Sequence, residues 1–156
     1  MKRNVKTISL ALLIIEKECE DYFFGIADLS HVQNSIIEQY SALFDEYPRA
    51  ISIGITLPLT KDGLMNDNKK VYNFTDRKLN NITEHISNLL EAEGYNAFPF
   101  PKSEKTKDNT FISLNLIAAN QANLGQIEKN GLLTTPEVGS AVNWGTVLID
   151  APIKIK

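Results

Sequence analysis

Strand-like runs alternating with helix-like ones predict an α/β fold, a single sandwich in which a sheet is flanked by helices. Two further observations carry that prediction. A long amphipathic stretch places Leu79, Ile82, Ile86, Leu89 and Leu90 on one stripe, which requires an apolar surface to cover it. Two short apolar runs, 50–57 and 142–149, have the length of buried strands. The 156 residues read as one domain, 1–156, long enough to bury about 70% of the surface that an unfolded chain exposes. No repeat, low-complexity tract or interdomain linker interrupts them.

Each element has its own signal. Residues 5–20 read as a helix, with Ile8, Leu12, Ile15 and Cys19 at three- and four-residue spacing. Residues 22–27 read as a short strand. Asp28 and Ser30 are turn and cap residues before a second helix, over 32–45, carrying Val32, Ile36, Ile37, Tyr40 and Leu43; Pro48 closes that region. Residues 50–57 alternate large apolar residues with small ones, as expected of a buried strand whose Gly54 leaves room for a neighbour. An exposed loop is expected over 58–69, then the longest helix over 71–93, with Gly94 as its stop. Residues 96–99 begin another strand and 102–109 form a polar loop. Residues 111–123 read as a helix with Ile112, Leu116 and Ala119 inward, and 142–149 as the last strand.

Composition narrows the function classes. A net charge of −3 and 22% charged residues give no basic face for nucleic acid, and the lysines at 102, 105 and 107 read as a solvated loop. Cys19, the only cysteine, permits neither an internal disulfide nor a four-cysteine cluster and reads as a buried helical thiol. Met1-Lys2-Arg3 and the apolar run 10–15 lack a cleavage site and are followed at once by acidic residues. No stretch approaches the roughly 20 apolar residues of a spanning helix, so the expectation is a cytoplasmic protein without membrane contact. His31 and His85 have no second ligand at metal spacing, and no metal site is expected. No phosphate-binding glycine loop and no Gly-x-Ser-x-Gly elbow occurs.

The most informative stretch is Leu124–Ser140, where three glycines and a proline punctuate an apolar run and mark tight turns. It leads into Trp144-Gly145-Thr146-Val147-Leu148-Ile149-Asp150-Ala151-Pro152-Ile153. This order resembles the closing part of the catalytic domain of epoxyqueuosine reductases and corrinoid reductive dehalogenases. In that family an Ala-Gly-Leu-Gly turn, a Gly-x-Asn-Gly-Leu-Leu hairpin, a Thr-Pro-x-x-Gly turn and a strand ending Thr-Asp-x-Pro-Leu follow one another. Tyr47–Gly54 is similar to the family's Pro-x-Ala-Ile strand, Leu90–Ala97 to its helix, Gly-Tyr turn and strand, and Gly25–Asp28 to a block near its start.

The resemblance implies a nitroreductase-like fold, a central mixed sheet flanked by helices, with a cobalamin or related corrinoid held largely by backbone groups. It places the cofactor-binding positions at Asn130, Gly131, Leu132, Leu133, Gly139 and Ser140; no catalytic residue is assigned. The family's cysteine-rich ferredoxin-like segment has no counterpart in this sequence, which implies no iron–sulfur cluster in this chain and an oxidoreductase role only with an external iron–sulfur or flavin electron donor. Three departures stand out. Ala122-Asn123-Leu124-Gly125 replaces the glycine turn, and Asn tolerates a left-handed backbone. Glu128 stands where the family has glycine, so a planar ligand there meets bulk or charge. Pro101-Lys102-Ser103 stands where the epoxyqueuosine reductases carry an aspartate proton donor.

Two other functions fit the same scaffold. One is a non-catalytic interaction or regulatory domain whose uncovered apolar surface meets a partner or a second copy in a homodimer. The other is a flavin-binding nitroreductase-like protein, with Arg49 and Arg77 as the arginines available for a phosphate. Trp144 reads as a core aromatic, and Tyr72 and Tyr95 as helix anchors.

Overall fold

The computed structural model describes Ile15 and residues 22–30, 41–57, 68–100, 114–129 and 132–150. The elements are β1 (Tyr22–Asp28), α1 (Ser41–Glu46), β2 (Arg49–Thr56), α2 (Asn68–Ala92), β3 (Ala97–Pro99), α3 (Leu114–Gln121), β4 (Gln126–Ile127), β5 (Leu133–Thr134) and β6 (Val142–Ile149). The helices read at 5–20 and over most of 32–45, Cys19, His31, the Tyr72 side chain and the lysine loop lie outside the described residues.

Four strands form one sheet in the order β1-β2-β6-β3, and β4 pairs with β5 in a separate hairpin. The sheet was expected to be mixed; among the described residues every pairing is antiparallel. The fold class nevertheless stands, because the sheet is flanked by α2 on one face and α3 on the other. Antiparallel pairing normally leaves one face wet. Here both faces are covered, so all eight residues of β6 are buried.

Alternation along the strands sends side chains to two cores. Ile51, Ile53 and Ile55 of β2, with Val147 and Ile149 of β6, meet the α2 stripe Leu79, Ile82, Ile86 and Leu90. Ala27, Ala50 and Leu148 point the other way, to Leu114, Ile117 and Ala118 of α3 and to Phe44 and Phe100. A third cluster joins Ala119 of α3 to Leu133, Val142 and Trp144. This third contact explains why the inward face of α3 is broader than the single stripe expected from sequence: Leu114, Asn115, Ile117, Ala118 and Ala119 are all buried.

Gly54 and Trp144 are direct partners across β2 and β6. A Cβ on Gly54 would stand 2.6 Å from the indole, so the absent side chain is the space that the ring fills. Trp144 is 4% exposed, with its ring centroid 5.6 Å from that of Phe23, which makes it a core aromatic. The sheet rows also carry polar contacts. Asn143 Nδ2 donates to Thr75 Oγ1 and to Asp76 Oδ1, each at 2.7 Å, and pins the first half of α2 to β6. On the α3 face Thr146 Oγ1 donates to Asn115 Oδ1 at 2.7 Å. Burying these groups in pairs avoids the cost of leaving them dry and unbonded. Ser52 Oγ and Ser87 Oγ are buried without a hydrogen-bond partner among the described residues.

Candidate functional site

The segment singled out by sequence begins where α3 stops. Asn123 N donates to Asn120 O and Leu124 N to Ala119 O, both at 3.0 Å, and Asn123 has φ +63°. These are the two bonds of a Schellman cap with Asn at the left-handed position, and Leu124 packs in the same cluster as Ala119. The turn expected to tolerate Asn123 is therefore built. Asn120 Nδ2 braces it further by donating to Gly125 O at 3.0 Å.

The chain then enters the β4–β5 hairpin, with Gln126 opposite Thr134 and Ile127 opposite Leu133. Glu128 N donates to Leu132 O at 2.8 Å and closes the tip. The two-residue period gives the hairpin two faces. Ile127 and Leu133 point into the third core cluster, with Leu133 only 3% exposed. Gln126, Glu128, Leu132 and Thr134 share the outer face, where Leu132 is 51% exposed. Glu128 does not extend freely from that face: Thr134 Oγ1 donates to its Oε1 at 2.8 Å.

A second tight turn follows. Thr135 N donates to Gly139 O at 2.7 Å and Gly139 N returns a bond to Thr135 O at 3.0 Å. The Thr135 hydroxyl donates to Gly139 O and accepts from Val138 N, each at 3.0 Å, so one side chain braces the whole turn. Gly139 has φ +63°, and a Cβ there would have nothing within 4 Å among the described residues. The backbone at Gly139 thus faces open space, with Ser140 exposed beside it.

Of the positions expected to hold a cofactor, Leu132, Leu133, Gly139 and Ser140 are therefore on adjoining turns, while Asn130 and Gly131 lie outside the described residues. Leu133 differs from the rest, because its side chain belongs to the core and only its backbone faces the turn. Sequence reading passed over Thr134 and Thr135, whose hydroxyls hold the hairpin and the turn. The contact of Thr134 follows from the hairpin register: once Gln126 and Thr134 are paired, Glu128 shares their face. The alternative phosphate site is not assembled. Arg49 pairs with Ile149 at one end of β6, and Arg77 follows Asp76, which bonds Asn143 near the other end. Six strand residues, roughly 20 Å, separate those ends.

No protein-family model matches this sequence, and no curated protein matches it. Solved structures do. The architecture aligns with selenomethionine-labelled epoxyqueuosine reductase at a TM-score of 0.57 and 14% identity, over 96% of this chain and 48% of that one. This chain has the fold of about half an epoxyqueuosine reductase. The reductase from Streptococcus thermophilus aligns over 100% of this chain and 48% of its own, with TM-score 0.55 and 18% identity. An epoxyqueuosine reductase with an epoxyqueuosine-modified tRNA-Tyr stem loop aligns at TM-score 0.58 and 13% identity, again over 48% of its length. The chain thus spans about half the length of the reductases that it matches, at identities where the fold is what they share.

Proposed function

We propose that the chain is a corrinoid-binding domain that takes part in reductive chemistry with electrons supplied by an iron–sulfur or flavin centre outside these 156 residues. The observation that carries this reading is the row of turns from Asn123 to Ser140. Among the described residues they close with backbone hydrogen bonds at Asn123, Leu124, Glu128, Thr135 and Gly139, although two glycine positions of the motif hold Asn123 and Glu128. A site of this kind works through backbone and shape, and those are the features retained here.

On this reading the macrocycle rests on a ledge of three residues whose exposure supports it. Leu132 offers exposed apolar surface, Gly139 an open backbone and Ser140 an exposed hydroxyl, while the Glu128 carboxylate lies on the same face as Leu132, bonded to Thr134. When bound, the corrinoid supplies the cobalt-centred redox chemistry. The contribution of the chain is to position the macrocycle, through Leu132 and the 139–140 backbone, and to exclude water beneath it with the Leu133–Trp144 core. A net charge of −3 gives no excess of cations for a nucleic-acid backbone, so the tRNA contact of the reductase is not carried over.

Anaerobic titration with cob(II)alamin and hydroxocobalamin, followed by visible spectra and calorimetry, tests the proposal. Saturable binding with a shift of the cobalt-centred bands is expected. No binding at high micromolar concentration would reject it and favour the interaction-domain reading. That second reading draws on Phe74, Phe98, Leu132 and Val138, large apolar side chains that are 60, 37, 51 and 37% exposed. They belong to α2, β3, the hairpin and the following turn rather than to one element, and isolated exposed apolar residues are ordinary on a protein surface. The corrinoid reading is therefore preferred.

A further inference from the structure

We infer that the Glu128–Thr134 pair on the outer face of the hairpin is a selectivity element that favours a ligand edge carrying amide N–H donors over one carrying a carboxylate. The inference rests on the corrinoid reading and names what that ledge distinguishes. Gln126, Glu128, Leu132 and Thr134 are brought to one face by the pairing of Gln126 with Thr134 and by the Glu128 N–Leu132 O bond at 2.8 Å. Leu132 supplies apolar contact next to an exposed carboxylate that is tethered, because Thr134 Oγ1 donates to Glu128 Oε1 at 2.8 Å.

The chemistry of that arrangement is directional. An ionised carboxylate only accepts hydrogen bonds, and one proton from Thr134 leaves most of its lone pairs free. The Thr134 hydroxyl gives its proton to Glu128 at 2.8 Å or to Gln126 O at 3.4 Å, so in either case it offers a ligand only lone pairs. A ligand edge in contact with this pair must donate. Primary amides, such as the propionamide arms around a corrin ring, donate; the corresponding acids cannot, and their charge opposes that of Glu128. Tethering matters because an exposed carboxylate free to rotate would turn away from an approaching anion, whereas one held by Thr134 cannot do so without breaking a bond. Bulk is a separate effect: Glu128→Gly removes both size and charge, while Glu128→Gln keeps the size.

Calorimetric titration with cyanocobalamin and with each of its monocarboxylates, in which one peripheral propionamide has been hydrolysed, separates these effects. Wild-type protein is expected to bind the amide form more tightly than at least one monocarboxylate, by about threefold at low salt, the scale of one exposed charge contact. Raising the salt concentration is expected to shrink the ratio. Glu128→Gln brings it close to one, and Thr134→Val, which frees the carboxylate, reduces it. Equal binding of the amide and every monocarboxylate by wild type, or an undiminished ratio in Glu128→Gln, would overturn the inference while leaving the corrinoid reading in place. If neither wild type nor Glu128→Gly binds any of these corrinoids, the corrinoid reading fails and the selectivity falls with it.

Discussion

Gly54 shows how one missing side chain organises a core. Its hydrogen stands where a methyl would lie 2.6 Å from the Trp144 ring and 2.7 Å from Val142 Cγ1. Neither neighbour has room to withdraw, because Trp144 is buried against Phe23 and Val142 is packed in the same cluster. Gly54→Ala is therefore expected to destabilise the fold by about 2–3 kcal/mol through overpacking, measured by urea denaturation. Wild-type stability in that variant would show that the indole has another rotamer available. Sequence alone marked Gly54 as leaving room for a neighbour; it did not say which neighbour, since Trp144 lies ninety positions away. The opposite case is Glu128. The sequence marked it as bulk or charge in the path of a planar ligand, and the structure adds its bond to Thr134 on the same face, a contact that depends on hairpin pairing.

At the scale of the element, the residues that stop α2 and α3 were legible. Gly94, with φ +94°, ends α2, where Tyr95 N donates to Leu90 O and Gly94 N to Glu91 O. Tyr95 packs against the core beside Leu90, as the anchor reading expected. Asn123 does the same work for α3 without being glycine. Asn123→Gly is expected to be neutral or slightly stabilising, and Asn123→Ala to cost about 1 kcal/mol, because an alanine in the left-handed region carries a steric penalty that Asn partly escapes. Thermal denaturation of the two variants checks this; equal midpoints would mean that the cap relaxes out of φ > 0 when Asn123 is replaced. Boundaries were less legible than types. The longest helix starts at Asn68 instead of 71, and α3 gives way to its cap after Gln121 instead of at 123, since turn residues carry the same polar signal on either side of a boundary.

For the molecule as a whole, the end of the sheet at Tyr47 joins pieces distant in sequence. The Tyr47 ring stacks on Phe98 of β3, with centroids 6.3 Å apart, and Phe98 meets Phe100 edge-on. Asn96 N and Nδ2 donate to the two carboxylate oxygens of Asp150, each at 2.8 Å, tying the start of β3 to the end of β6. Burial first, then the charges of Glu46 and Asp150, a hydrogen bond with Glu46, and the charge of Glu91 raise the Tyr47 phenol above its ordinary value of 10.0. A raised value means that the folded state holds the proton more tightly than the unfolded chain. The associated stability is present in full below about pH 10 and is lost as pH rises through the folded value. Tyr47→Phe is expected to flatten the loss of stability on the alkaline side, read from urea midpoints across that range; an unchanged slope would assign the loss to other groups. Among the described residues no helix is long and apolar enough to cross a membrane, and α2, the longest, is amphipathic. What the sequence by itself determined was local: strands read at 22–27, 50–57 and 142–149, the long helix, its stop, the glycine-marked turns and the family likeness. These depend on periodicity and backbone preference, which neighbouring residues set. Only the tertiary structure decided the strand order β1-β2-β6-β3 and the burial of Leu133. It alone paired Thr134 with Glu128 and Asn143 with Thr75 and Asp76. Those outcomes depend on which faces pack together, and a face is defined by partners that the local sequence does not contain.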